Sequence, residues 1–159
     1  MTLEEKRALV AKLRASIEEE LARATRAAKD AAEGATHVDN KPEGDKDMRS
    51  TEASYIARGQ ASRVADMVDV LARLDAMPVK VFATGARIEA CAVVDLEHDD
   101  GKTTTYLVVP SAGGRIVDGV QTLATTSPLG RALLGLVEGD DVEVKTPSGV
   151  REHSIARVR

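Results

Sequence analysis

The sequence predicts an α+β protein: an N-terminal antiparallel α-helical coiled-coil hairpin, followed by an antiparallel sheet domain with one short helix. Three observations predict it. Apolar residues recur at heptad spacing in two long stretches before Pro78. Val, Thr and Gly gather after it, in short runs broken by glycine, which is strand-and-turn composition. A Ser-Pro pair opens one short apolar segment within that second half. The division falls at Pro78, giving a hairpin over 1–77 with an acidic tip at 35–50 and a sheet domain over 79–159. Both halves are slightly acidic to the same degree, so the division is structural and not electrostatic.

The first helix should start after Thr2, an N-cap with Glu5 three residues on to close a capping box. Leu3, Val10, Ile17, Ala24 and Ala31 repeat at seven, and Leu13 and Ala27 add a second row. Gly34 is expected to end this helix. A second helix should run from about Ser50 to Ala76, with Ala57, Ala61, Val64, Val68 and Leu71 as its seam. Two such helices on a short connection pack antiparallel. At ~1.5 Å per residue each is ~45 Å long, so the hairpin is expected to protrude.

The tip collects Asp39, Glu43, Asp45, Asp47 and Glu52, partly offset by Lys41, Lys46 and Arg49. Carboxylates are hard oxygen donors suited to Mg²⁺. One or two of them bind that ion weakly, so such a tip makes chemical sense when it completes a metal site held elsewhere. Asp47 could equally favour the helix start through the dipole.

In the second half, VKVF (79–82), RIEACAVVDLEH (87–98), TTTYLVV (103–109), DVEVKT (141–146) and VREHSIARV (150–158) read as strands. Val142 and Val144 alternate with charges, and Val150, Ser154 and Ala156 do so less cleanly. Between them, Ser127 is an N-cap, Pro128 takes the first helical position, and Gly135 stops a helix lined by Leu129, Ala132 and Leu133.

Composition narrows the function. The net charge is −4, a poor match for autonomous binding to duplex phosphate. The aromatics are Tyr55, Phe82 and Tyr106, too few for a base-stacking platform. The single Cys91 excludes an internal disulfide and multi-cysteine metal sites, and reads as a small buried apolar residue. His37, His98 and His153 are scattered and read as surface residues, and no spaced Ser, His and Asp suggest a triad. No apolar run could span a bilayer, and no signal peptide opens the chain, so a cytoplasmic protein is expected.

The stretch TTSPLGRALLGLVEGDDVEVKTPSGVREHSIARV (125–158) resembles the C-terminal segment of the bacterial transcript-cleavage factors GreA and GreB. Ser127, Pro128, Arg131, Ala132, Leu133, Gly139, Asp140, Pro147 and Gly149 fall on the family pattern, and Tyr106, Leu107 and Val108 resemble its tyrosine strand. The resemblance implies an FKBP-like second domain that docks on the rim of the RNA polymerase secondary channel, with contact centred on Thr126, Ser127 and Pro128. It implies a coiled coil that enters the channel and tip carboxylates that help hold a second Mg²⁺ at the polymerase active site, an ion not bound tightly by the free protein. The polymerase itself then cuts backtracked RNA. The factor is not an enzyme but stimulates that intrinsic nuclease, and it meets nascent RNA only within the complex, as a monomer and away from membranes.

The tip differs from the family's Asp-Leu-x-Glu-Asn-Ala-Glu-Tyr. Aligned on Tyr55, Met48 stands at the Asp and Thr51 at the Glu. Asp45 and Asp47 are therefore the candidate metal-directed pair. The alternative function is a secondary-channel regulator or inhibitor without cleavage activity. Prolyl isomerisation is unfavoured, since the domain offers only Phe82 and Tyr106 for an aromatic pocket.

Overall fold

The computed structural model describes residues 1–36, 48–146 and 149–159, with the side chains of 35, 36, 48–50 and 146 left aside. Its elements are α1 (Leu3–Thr36), α2 (Met48–Asp75), β1 (Val93–His98), β2 (Thr103–Val109), β3 (Ile116–Val117), β4 (Val120–Ala124), α3 (Pro128–Leu133), β5 (Asp141–Thr146) and β6 (Gly149–Val158). They form two compact units: Met1–Leu13 with Arg73–Arg159, and Arg14–Ala72.

The second unit is the helical hairpin. Glu20 Oε1 accepts from Arg63 Nη2 at 2.9 Å, and these residues lie at similar distances from the 37–47 connection, so the helices run antiparallel. α1 buries Ile17 and Ala24 here, as its heptads predict, while Ala27 faces solvent. On α2 the seam keeps the expected Ala57, Val64 and Leu71, but Gln60 and Met67 take the places expected of Ala61 and Val68. Met67 is buried and Ala57, Gln60, Val64 and Leu71 are half-buried, whereas Ala61 and Val68 are exposed. Gly34 does not end α1. It keeps helical backbone and the helix continues to Thr36, because an interior glycine costs only about 1 kcal/mol relative to alanine.

The first unit holds the start of α1 and the sheet. Thr2 and Glu5 form the expected capping box: Thr2 N–H donates to Glu5 Oε2 at 2.7 Å and Glu5 N–H to Thr2 Oγ1 at 3.1 Å. These bonds hold the Glu5 carboxyl below the usual carboxylate range. One turn on, Lys6 is wholly buried. Its ammonium donates to the carbonyls of Lys80 at 2.8 Å and Arg159 at 2.9 Å, and lies 4.7 Å from the Phe82 ring centre.

This anchoring explains why 79–82 is not a strand: the Lys80 carbonyl is taken by Lys6. Residues 87–92 are not strand either. Ile88 exchanges hydrogen bonds with Leu136 and Gly135, Ala92 N–H closes a turn on Glu89, and Cys91 sits at φ +74°. The strand begins only at Val93. Cys91 is buried as expected, but in a turn.

The six strands lie in the order β3-β4-β2-β1-β6-β5. All neighbours are antiparallel except β2 and β4, which run parallel from Tyr106↔Gln121 to Val109↔Ala124. The parallel pair arises because the β3–β4 hairpin, absent from the sequence reading, turns the chain back once more. Its turn is Asp118–Gly119, both at positive φ, the pair that favours such two-residue hairpins. The core packs Val94, Leu96, Val108, Leu123, Leu133, Val142, Val144, Ile155 and Val158. Val142 and Val144 point inward as predicted. β6 takes the opposite phase to that expected: His153, Ile155 and Val158 are buried, and Val150, Ser154 and Ala156 are exposed. Asp95 pairs with Arg157 and Leu96 with Ile155, so Ala156 is the extra residue of a bulge.

Replacing Lys6 by methionine keeps the apolar stem but removes the donor to the Lys80 carbonyl. A loss of about 2 kcal/mol in urea unfolding is expected. Burial pushes the Lys6 ammonium below its ordinary 10.5. Between that lowered value and 10.5 the unfolded chain binds more protons than the folded one, so stability contributed at this site rises with pH across the window. Comparing parent and variant across mildly alkaline pH checks this: the rise should be missing from Lys6→Met.

Candidate functional site

The turn from β4 into α3 is built around one carbonyl. Ala124 ends the strand, and its oxygen accepts from Ser127 N–H at 3.0 Å and from Ser127 Oγ at 2.8 Å. Ser127 is extended, at φ −70° and ψ 158°, and its Oγ accepts from Gly130 N–H at 3.0 Å, the N-cap bond expected from the sequence. Pro128 follows at the first helical position, where no N–H is required. Thr125 N–H donates to the Val109 carbonyl at 2.8 Å, which ties the turn to β2.

Gly130 is required by space. A Cβ there would lie 2.0 Å from the Ala124 oxygen and 2.9 Å from Ser127 Oγ. On the inner side Leu133 is fully buried, and Leu129 and Ala132 pack on the core. Past the helix, Gly135 takes φ +85° and its N–H donates to the Ile88 carbonyl at 2.9 Å.

The outer side is therefore rigidly presented. Thr126, Pro128, Arg131 and Leu134 are exposed, Pro128 and Arg131 at the i, i+3 spacing of one helical face and Leu134 at the C-cap that follows. The structure thus brings together the predicted Thr126, Ser127 and Pro128, but with different parts. Ser127 is half-buried and engaged in capping, so Thr126 and Pro128 face outward. Arg131 shares the outward face of Pro128, as their spacing of three allows, and Leu134 is exposed beside them at the end of α3. Asp45 and Asp47 lie outside the described residues. Among the described residues no group of three His, Cys, Asp or Glu is arranged to hold a metal ion, and no helix is long and apolar enough to cross a membrane.

Residues 83–159, containing this turn, match the family described as the C-terminal part of the transcription elongation factors GreA and GreB. The chain is 33% identical over 118 residues to transcription elongation factor GreA of Alkalilimnicola ehrlichii, covering 71% of this chain and 73% of that one. It is 30% identical, with the same coverage, to GreA of Thioalkalivibrio sulfidiphilus. Among solved structures it is similar to GreA factor homolog 1 of Thermus thermophilus, at 23% identity and a TM-score of 0.41 over 92% of this chain and 94% of that one. One residue in three is shared with a GreA sequence across nearly three quarters of its length, and the C-terminal match spans the Ser127–Pro128 turn: the chain belongs to the GreA/GreB family of transcription elongation factors.

Proposed function

We propose that this chain is a Gre-type factor that docks on RNA polymerase through the β4–α3 turn, places its α1–α2 hairpin in the secondary channel, and stimulates cleavage of backtracked RNA by the polymerase itself. The observation that carries this reading is the turn. Its inner groups are locked by Ala124, Ser127 and Gly130, while Thr126, Pro128, Arg131 and Leu134 are left to solvent. A backbone fixed in this way, presenting a cation, a proline and an exposed leucine, suits protein docking, because the turn itself need not be ordered on binding.

The hairpin supplies reach. At ~1.5 Å per residue, α1 and α2 are about 50 Å and 40 Å long. Asp45 and Asp47 would direct Mg²⁺, and two carboxylates one residue apart are a donor set that fits it. When bound, that ion supplies charge stabilisation and activates water for phosphodiester hydrolysis. The protein's part is to bring carboxylates to an ion shared with the polymerase, so it needs no basic groove for RNA and no nuclease centre of its own. It acts as a monomer and meets nascent RNA only inside the complex.

A second reading rests on the tip sequence. Met48 and Thr51 stand where the Gre pattern, aligned on Tyr55, has Asp and Glu. That departure favours a factor that occupies the channel and slows the polymerase without cleavage. Mixing the protein with a stalled, backtracked elongation complex and Mg²⁺ separates the two: shortened 3′ ends are expected on the first reading, and binding with slowed extension alone on the second.

The docking face has its own test. Thr126→Arg should weaken polymerase binding about tenfold, as loss of a contact near the centre of an interface does. Its melting temperature should match the parent, since exposed substitutions usually stay within about 0.5 kcal/mol. An unchanged binding curve would count against docking through this turn.

A further inference from the structure

A second cluster of chemistry lies across the sheet. The β1–β6 register sets His98 opposite His153. The two were read from the sequence as separate surface residues, but they meet edge to face, with ring centres 4.8 Å apart and planes at 85°. Their Nδ1 atoms are 2.8 Å apart. His98 Nε2 lies 2.7 Å from Thr104 Oγ1 on β2. The Nδ1–Nδ1 contact is a hydrogen bond: with His98 Nε2–H donating to that hydroxyl, His98 Nδ1 accepts the Nδ1–H of His153. Metal-ligating histidines are held in this way by a partner on the other ring nitrogen.

The pair opens onto a cavity of about 370 Å³. Glu97, Asp99, Asp141, Glu143 and Glu152 line it, and no lysine or arginine does. Such a surface concentrates cations. His153 itself is only 9% exposed, so one of the two imidazoles is held in place by burial.

We propose that His98 and His153 form a binding site for a divalent transition-metal ion of the copper or nickel type, held by their two Nδ1 atoms with water in the remaining positions. Imidazole nitrogens suit Cu²⁺ and Ni²⁺, and Cu²⁺ stands highest in the affinity order of the divalent first-row ions. Binding replaces the hydrogen bond between the two rings and releases the proton it holds. Mg²⁺ and Ca²⁺ take oxygen ligands, so this site is distinct in chemistry from the proposed tip. Because no third protein ligand joins the pair among the described residues, binding is exchangeable, and the ion acts as a staple between β1 and β6.

The test is titration of the full chain with Cu²⁺, followed by electron paramagnetic resonance and calorimetry. One Cu²⁺ per chain with two coordinated imidazole nitrogens is expected. His98→Asn and His153→Asn should each weaken binding at least thirtyfold, His37→Asn should leave it unchanged, and Zn²⁺ should bind more weakly than Cu²⁺. Circular dichroism checks that each variant folds. If His153→Asn does not, the half-exposed His98 carries the test alone. A two-nitrogen copper signal that survives His98→Asn, that disappears in His37→Asn, or that is absent from the parent chain overturns the proposal.

Discussion

Changing Asp45 and Asp47 together to alanine is expected to slow transcript shortening at a backtracked polymerase at least a hundredfold, while binding to the polymerase persists. A carboxylate that directs Mg²⁺ acts on the charge of the transition state, and loss of such an ion removes several kcal/mol of stabilisation. Even about 3 kcal/mol corresponds to more than a hundredfold in rate. If these acids serve only to favour the start of α2, the double variant should lose about 1 kcal/mol of helix stability and shorten RNA as fast as the parent. Single-turnover cleavage and a binding assay on the same preparations separate these outcomes. A parent chain that binds but never shortens RNA would move the assignment to the inhibitory reading.

Gly130→Ala is expected to destabilise the sheet unit by about 3 kcal/mol or more, seen as a lower urea midpoint with an unchanged slope. The added methyl would lie 2.0 Å from the Ala124 oxygen. That oxygen cannot retreat. It accepts two bonds from Ser127, and Ala124 is held against Val109 in the parallel β2–β4 ladder. Relief must come from lifting α3, which also uncovers Leu133. Gly59→Ala is the contrast. It lies within α2 with nothing inside 4 Å of a new methyl, and should stabilise the chain by about 0.5–1 kcal/mol. Equal effects at the two glycines would contradict this account.

What could be read from the sequence is what depends on near neighbours. The Thr2–Glu5 box, the Ser127 cap, Pro128 and the inward valines of β5 are local patterns, and each appears as expected. The misses have distant causes. The 79–82 segment has strand composition, but its carbonyl belongs to a lysine 74 residues away. In β6 the step from buried Ile155 to buried Val158 turns on a bulge at Ala156 defined only by its pairing with β1. On α2 the expected Ala61 and Val68 give way to Gln60 and Met67, because a polar glutamine in a seam carries no apolar signal and Val68 is as apolar as the adjacent Met67. The β3–β4 hairpin is different, since the local pair Asp118–Gly119 is itself a turn signal. Within the candidate site, the cap and the exposed Thr126 follow from the motif. The meeting of His98 and His153, 55 residues apart, could only come from strand register.

The burial of Lys6 has a consequence for synthesis on the ribosome. Its acceptors lie 74 and 153 residues further along the chain. At ordinary translation rates, roughly 8–30 s separate the emergence of residue 6 from that of residue 159. Residues 14–72 contain a compact unit of their own and can close early, whereas the buried Leu9 and Leu13 belong to the unit completed by residues 73–159. During that interval the helical face that will be covered carries an ammonium in water instead of a further aliphatic side chain. The nascent chain is thus less prone to stick to its neighbours, and the same charge gains its second acceptor only when Arg159 follows strand β6.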